Sequence, residues 1–230
     1  MVVAELQWRM ALAAALMDLV FPVRCGGCGG GGGWLCPRCD AGLVRAPSCR
    51  CPRCGRLGSV DPCPICPGAD LDGLTAVISL IGPARRAVHV LKYRQRPQLA
   101  AVLVDAAWRR GWSPSLAPVL VGIPLHPSRL RTRRYNQADL VAGALAARGG
   151  GVLAAGLERV RATPTQVGLG GAVRREALLG AFQWTAPVPP PPVVTLVDDV
   201  VTTGATLLAA ARALRSAGSE AVFGVALALG

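Results

Sequence analysis

The stretch Val193-Val194-Thr195-Leu196-Val197-Asp198-Asp199-Val200-Val201-Thr202-Thr203-Gly204-Ala205-Thr206 decides the fold of this chain. Its apolar start predicts a buried strand over 193–197, and two adjacent carboxylates mark the end of that strand. A hydroxyl-rich loop with one glycine then leads into a helix predicted over 205–217, with Gly218 as its cap. A strand that passes directly into a loop and a helix is typical of an open parallel α/β sheet, which binds ligands beyond the carboxyl ends of its strands.

The loop over residues 202–206 suits a phosphate group. A helix start offers unpaired backbone N–H groups and the positive end of the helix dipole. Gly204 lets the backbone approach the phosphate, and Thr202, Thr203 and Thr206 add hydroxyl donors. The preceding carboxylates can each accept a hydrogen bond from a ribose hydroxyl. The stretch therefore predicts a site for a sugar phosphate.

Two other interpretations compete for this stretch. A strand that ends in acids can hold magnesium in a nucleotide triphosphatase, but that site needs a G-x-x-x-x-G-K-[ST] loop. The only lysine, Lys92, follows Leu91, so that loop is absent. The other interpretation is an ordinary strand, turn and helix with Asp199 or Thr202 as a helix cap. The combined register of strand, paired acids, Thr-Thr-Gly-x-Thr and helix favours the sugar-phosphate site.

Strand and helix signals alternate from residue 75 onward, which predicts a parallel sheet covered by helices on both faces. The predicted strands besides 193–197 are 75–81, 119–123 and 221–229. The predicted helices besides 205–217 are 83–93, 98–111 and 136–148, the last broken by the glycines of 149–151. We expect two domains, residues 1–70 and residues 71–230.

All nine cysteines lie between Cys25 and Cys66, and eight of them form four C-x-x-C pairs. The pairs are Cys25 with Cys28, Cys36 with Cys39, Cys51 with Cys54, and Cys63 with Cys66. Two such turns complete a tetrahedral zinc site, so the sequence predicts two structural zinc ions in a double zinc ribbon. Interleaved pairing and iron–sulfur ligation are the alternatives. Cys49 receives no role. Clustered reduced thiols indicate a cytoplasmic protein.

The chain carries a formal charge of +12, concentrated in its middle. Between Arg85 and Arg175 there are sixteen basic residues and three acidic ones. This excess predicts an anionic partner, either a pyrophosphate, a nucleic-acid backbone or both, with a solvated arginine-rich surface as the alternative. Few aromatic side chains that could stack bases lie near this region, namely Trp108, Trp112 and Tyr135, so we expect any nucleic-acid binding to lack sequence selectivity.

The amino terminus resembles the middle of a signal peptide over 10–17, but Glu5 and Asp18 flank or interrupt it and no clear cleavage site follows. We expect residues 1–20 to form an amphipathic helix that packs on the body of the protein. No other segment approaches the roughly 20 apolar residues that a membrane span needs, so we expect no membrane insertion.

Further motifs accompany the 193–206 stretch. They are Val90-Leu91-Lys92-Tyr93, Ile123-Pro124-Leu125-His126, Arg131-x-Arg133 followed by Asn136-Gln137, Arg159-x-Arg161-x-Thr163-x-x-Gln166, and Gly180-Ala181-Phe182. With the cysteine pairs, the chain resembles the ComF family of competence proteins from Cys25 onward. The resemblance implies a type I phosphoribosyltransferase fold with a small amino-terminal zinc-ribbon module. Arg134-Tyr135 stands where the family usually has Gly-Phe, and Ala177 where it usually has Asn.

The resemblance also implies a ligand, the magnesium complex of 5-phosphoribosyl-1-pyrophosphate (PRPP). It assigns a catalytic role to Asp198 and Asp199. The remaining implied contacts are Thr202, Thr203, Gly204, Ala205 and Thr206 on the phosphate, Pro124, Leu125, His126, Arg131 and Arg133 on the pyrophosphate, and Arg161, Thr163 and Gln166 in a closing loop. Arg129 and Arg134 lie in the same basic turn.

Two functional hypotheses follow from the resemblance. The first is a phosphoribosyltransferase, of the glycosyltransferase class, that acts on an unidentified acceptor and is linked to DNA uptake in natural transformation. The second is a non-catalytic competence factor that binds single-stranded DNA under the control of PRPP. Single-stranded DNA and a DNA-uptake helicase are the implied macromolecular partners. Plain nucleobase salvage lacks a base-specific hood in this sequence.

Overall fold

The computed structural model describes residues 23–47, 51, 70–161 and 178–230. Its centre is a five-stranded parallel sheet in the order β1-β7-β6-β2-β3. A separate antiparallel pair joins β4 to β5. The strands are β1 Gly73–Ser79, β2 Val119–Gly122, β3 Val152–Leu153, β4 Leu157–Arg159, β5 Phe182–Trp184, β6 Val193–Val201 and β7 Ala221–Leu229.

Helices cover both faces of the sheet, as the alternating sequence pattern predicts. They are α1 Pro37–Ala41, α2 Gly82–Tyr93, α3 Gln98–Trp108, α4 Pro127–Arg133, α5 Gln137–Gly149 and α6 Ala205–Ser216. Alternate residues of β6 enter two different cores. Val197 packs in the core that contains α2, α3 and α5, whereas Leu196 packs in the core that contains α6 and the β4–β5 pair. The mixed α/β class with a parallel sheet is therefore confirmed.

The central strand β6 is longer than the sequence predicts, because it ends at Val201 and not at residue 197. Pairing with β7 extends it, since Asp198 lies opposite Ala226 and Val201 lies opposite Leu229. The acidic residues are thus part of the strand and do not end it. The turn expected after β2 also differs, because residues 127–133 form the short helix α4.

The described part of the cysteine region packs directly on the sheet. Arg45 forms an antiparallel bridge with Ile78, and the Ala46 N–H donates to the Val77 carbonyl at 3.0 Å. This short segment covers the outer edge of β1, which would otherwise present unpaired backbone groups. Arg110, in the turn after α3, donates to the Asp40 side chain at 3.0 Å and to its carbonyl at 2.8 Å. The division into domains 1–70 and 71–230 stays a prediction.

The helix predicted over 1–20 lies outside the described residues. Among the helices that the structure describes, none combines the length and the hydrophobicity that crossing a membrane requires.

Candidate functional site

Two adjacent carboxylates, Asp198 and Asp199, form an acid pair near the carboxyl end of the central strand β6. Asp199 is only 7% exposed, and its Oδ2 lies 3.1 Å from Nζ of Lys92. Lys92 belongs to the last turn of α2 and is itself mostly covered. The buried carboxylate of Asp199 is therefore neutralised from within the protein.

Asp198 has a different environment. Its Oδ1 accepts a hydrogen bond from the Asp199 N–H at 2.8 Å. The residue keeps some solvent exposure, but protein atoms surround its carboxyl group. Desolvation and the negative charge of Asp199 raise the pKa of Asp198 to about 8, although Lys92 opposes the rise. Near neutral pH the acid pair therefore retains a proton.

The 202–206 loop begins where β6 ends, two residues after the acid pair, and opens α6. Thr202 and Thr203 are exposed, while Gly204 is buried and adopts a left-handed conformation with φ of 72°. That conformation favours glycine, since a Cβ would strain it. The first helical hydrogen bond runs from Leu208 N–H to the Gly204 carbonyl, so the N–H groups of the first turn have no partner within the helix. The loop therefore offers backbone and hydroxyl donors together, as the sequence predicts for a phosphate site.

The loop after β2 lies next to the acid pair, because β2 is the neighbour of β6 and Gly122 pairs with Val197. It contains Pro124, Leu125 and His126, the residues predicted to meet pyrophosphate. His126 caps α4, since its Nδ1 accepts the Ser128 N–H at 3.3 Å and lies 2.8 Å from Ser128 Oγ. The imidazole thus has a structural role in this arrangement.

The arginines of this region differ in their availability. Arg133 donates to Gln137 Oε1 at 2.9 Å and lies over the ring of Tyr93 at 5.4 Å. Arg131 and Arg134 are exposed. Arg134 adopts a left-handed conformation with φ of 68°, at the position where the resembled family usually has glycine. Arg131 and Arg134 can therefore turn toward an anion at lower cost than Arg133.

Two further residues of the site are Lys92, to which the sequence assigned no role, and Arg159 on β4, which the resemblance placed only at the start of the closing stretch. Burial and the positive charge of Arg129 lower the pKa of Arg159, while the negative charge of Asp198 opposes this effect. Arg159 thus adds a partly desolvated cation near the acid pair, supplied by the β4–β5 layer. Both residues lie within motifs quoted for the family resemblance, which was the available signal. Arg161 is exposed and donates to the Leu179 carbonyl at 3.0 Å. Thr163 and Gln166 lie outside the described residues.

A second site consists of four cysteines, Cys25, Cys28, Cys36 and Cys39, which we call the four-cysteine cluster. Their sulfur atoms all lie within 4.8 Å of one another, and the Cys28 and Cys36 sulfurs are 3.8 Å apart. A tetrahedral zinc ion with Zn–S bonds of about 2.3 Å requires sulfurs about 3.8 Å apart. The cluster can therefore hold a metal ion such as zinc, and it joins the first two C-x-x-C pairs as the simplest prediction has it.

Local geometry supports thiolate character at Cys25, whereas burial and the neighbouring cysteines raise the pKa of Cys39 to about 12. Cys25 Sγ accepts backbone N–H groups from Gly27 at 3.3 Å and from Cys36 at 3.2 Å. Although burial opposes it, these backbone donors lower the pKa of Cys25 to about 6. A Cβ on Gly27 would lie 2.7 Å from the Cys39 sulfur, so glycine is needed there. Cys51 is buried, whereas Cys54, Cys63 and Cys66 lie outside the described residues, so the second zinc ion stays a prediction.

The chain is similar to the DNA utilization protein YhgH of Salmonella typhimurium, with 35% identity over 162 residues. It is also similar to the DNA utilization protein YhgH of Salmonella typhi, with 33% identity over 162 residues. In both cases the alignment covers 67% of this chain and 66% of the relative, so the chain spans just under two thirds of the relatives' length. No protein-family model matches the chain.

Proposed function

We propose that this chain binds the magnesium complex of PRPP at the carboxyl edge of a type I phosphoribosyltransferase fold, and that it acts in DNA utilization. The observation that supports this proposal is that the 202–206 loop follows the strand of the acid pair, while the loop after β2 follows the neighbouring strand. A ligand with a phosphate at one end, a ribose in the middle and a pyrophosphate at the other end fits that order of groups.

Each part of PRPP has a partner of suitable chemistry in this arrangement. The 5-phosphate accepts hydrogen bonds from the backbone and hydroxyl groups of the 202–206 loop. Ribose hydroxyls donate to Asp198 and Asp199. The pyrophosphate lies toward the loop after β2, where Arg131 adds positive charge at the leaving group. The closing loop assigned to Arg161, Thr163 and Gln166 excludes water from the reacting carbon.

The acid pair fits magnesium as part of the substrate and not as a resident ion. Lys92 neutralises Asp199, and Asp198 retains a proton up to about pH 8, so the pair does not offer two free carboxylates. Magnesium bound to the phosphates of PRPP neutralises the departing pyrophosphate. Asp198, after its proton passes to the departing pyrophosphate, then places negative charge beside the ribose. We propose transfer of the phosphoribosyl group to an acceptor that the described residues do not identify.

The second proposed function is binding of single-stranded DNA, with PRPP as an effector. The basic middle of the chain favours it, because the sequence from Arg85 to Arg175 contains sixteen basic residues and only three acidic ones. Arg131 and Arg134 in this region are exposed. The names of the relatives support a role in handling DNA. A DNA-uptake helicase is the proposed protein partner. We further propose zinc as the ion in the four-cysteine cluster, where it stabilises the segment that covers the edge of β1.

Measurement of PRPP consumption separates the two functions. Purified protein is incubated with Mg²⁺ and PRPP, either alone, with a panel of free bases, or with single-stranded DNA, and pyrophosphate release is followed. A transferase releases pyrophosphate only when an acceptor is present, and Asp198→Asn abolishes the release. If PRPP binds but no condition consumes it, the transferase proposal is wrong and the effector proposal stands. If PRPP does not bind, both proposals lose their ligand.

A further inference from the structure

We propose that the exposed connection between α2 and α3, residues 93–96, binds single-stranded nucleic acid by stacking a base on Tyr93 and holding phosphates at Arg94 and Arg96. We call this surface the 93–96 ridge. The inference rests on the second proposed function, because it specifies where a nucleic-acid strand contacts the chain.

The ridge presents four consecutive exposed side chains, Tyr93, Arg94, Gln95 and Arg96. Tyr93 is 60% exposed, so its ring gains little from burial on folding. Gln95 adopts a left-handed conformation with φ of 53°, which is uncommon for a residue with a Cβ. Backbone strain of this kind is typical of functional positions, where the surrounding structure maintains it. The strained turn keeps all four side chains directed outward.

Aromatic and cationic groups lie together at both ends of the ridge. The Tyr93 ring lies 4.8 Å from the His89 ring between centroids, and the Arg133 guanidinium lies 5.4 Å from its centroid. At the other end, the Arg96 guanidinium lies 5.4 Å from the centroid of the Trp34 ring. Bases stack on aromatic rings and on guanidinium planes, and such stacking tolerates any sequence. The neighbours fix the ring and the guanidinium before a ligand arrives.

The stretch of sequence that contains the ridge carries charge of one sign. Between Arg85 and Arg96 there are five cationic residues and no Asp or Glu, and the next acid along the chain is Asp105. Lys92 is neutralised by Asp199, which leaves the arginines to act on the solvent side. A strand of unpaired nucleotides carries one negative charge per phosphate, so this surface attracts it and gives a salt-dependent affinity. An acidic peptide has the same sign of charge but does not supply flat faces for Tyr93.

The few aromatic residues that the sequence places near the basic middle of the chain are not available for stacking. Trp108, Trp112 and Tyr135 all pack against the core, and the Tyr135 hydroxyl donates to the Leu91 carbonyl. Tyr93 is an exposed ring in this region, and in the sequence it stands out only as part of the Val90–Tyr93 motif. The exposed ring that is available for base stacking therefore lies at the end of α2.

The test uses the full chain and a fluorescent 20-residue oligothymidylate in an anisotropy titration at several salt concentrations. We expect Tyr93→Leu to weaken binding by about 5-fold or more, because one stacked base is lost, with an unchanged salt slope. Tyr93→Phe keeps the ring and should keep the affinity. Arg94→Gln with Arg96→Gln should reduce the log–log salt slope by about 1.4, since each contact to a single strand contributes about 0.7. Arg148→Gln is the matched control, because Asp105 already pairs with that guanidinium at 2.7 Å.

The possible outcomes distinguish failure of the ridge proposal from failure of the second proposed function, binding of single-stranded DNA. If the unaltered chain does not bind the oligonucleotide at low salt, the second proposed function is wrong and the ridge has no ligand. If it binds, but Tyr93→Leu and the double arginine variant bind equally well, the strand lies elsewhere and the ridge proposal is overturned. A duplex of the same length that competes as well as the single strand would also overturn base stacking on Tyr93. Melting curves show whether each variant is folded.

Discussion

Removal of the charge on Lys92 tests how the acid pair is held. In Lys92→Met the apolar stem stays, but the cation 3.1 Å from Asp199 Oδ2 is lost. The Asp199 side chain is 9% exposed, so its carboxylate is left buried without a compensating charge. Removal of one partner of a buried ion pair costs about 3–5 kcal/mol, and the 20% exposure of Lys92 places this pair at the lower end. We therefore expect a loss of about 3 kcal/mol in the free energy of unfolding.

Thermal unfolding followed by circular dichroism at pH 7 measures this loss. In a chain of this size each 1 kcal/mol shifts the melting temperature by about 2–4 °C, so Lys92→Met should melt about 6–12 °C lower. Lys92→Met combined with Asp199→Asn should recover most of the loss, because the double variant no longer buries a lone carboxylate. Arg148→Gln breaks an exposed pair with Asp105 and should cost less than about 1 kcal/mol.

Two results would refute the reasoning. If Lys92→Met melts like the unaltered chain, the ion pair does not hold Asp199. If the double variant is as unstable as Lys92→Met alone, the loss comes from packing of the lysine stem and not from an uncompensated charge.

Three more predictions follow from the described residues. The pKa of Asp198 is about 8 in the folded chain and about 3.9 when unfolded, so its proton stabilises the fold fully below about pH 4, and this stability is lost as the pH rises to about 8. In denaturant titrations, Asp198→Asn should flatten the dependence of the unfolding free energy on pH over this range. An unchanged pH profile would contradict the raised pKa. Arg134→Gly should stabilise the chain by roughly 1 kcal/mol because glycine adopts the left-handed φ of 68° without strain. Arg131→Gly, inside α4, is the control and should destabilise the chain by up to about 1 kcal/mol. Equal effects on the free energy of unfolding would show that the conformation of Arg134 costs nothing. Metal analysis should find two zinc ions per chain, and Cys36→Ser should lose one of them together with stability of the cysteine region; one zinc ion in the unaltered chain, or the visible absorption of an iron–sulfur centre, would contradict the double zinc ribbon.

Sequence patterns predicted the parts of the fold whose signals are local. The bounds of β7 match the prediction, and α6 differs by one residue, because apolar runs and Gly218 mark them within the segment itself. The length of β6 was missed, since pairing with β7 and not composition carries it to Val201. Helix α4 was missed because a run of arginines has no apolar face, and its start depends on the His126 side chain.

In the candidate site, too, the features that are local in sequence could be predicted, whereas those that depend on packing could not. The acid pair and the 202–206 loop lie two residues apart in the sequence, so their order alone indicated a phosphate site. The pairing of Lys92 with Asp199 and the position of Arg159 near Asp198 arise from the packing of α2 and β4 against the sheet. No spacing in the sequence encodes such contacts. The exposure of Tyr93 and the burial of Tyr135 likewise depend on how α2 and α5 meet the core.

Calorimetric titration of Mg-PRPP tests the central claim most directly, with the unaltered chain compared with Asp198→Asn combined with Asp199→Asn, and with Thr203→Val. Each variant removes a charge-assisted or phosphate hydrogen bond worth about 1.5–3 kcal/mol, so each lost bond should weaken binding by about 10-fold or more. The account predicts that the unaltered chain binds PRPP and that the folded double variant binds it at least about 10-fold more weakly. Equal affinity for PRPP in the unaltered chain and the folded double variant would contradict it.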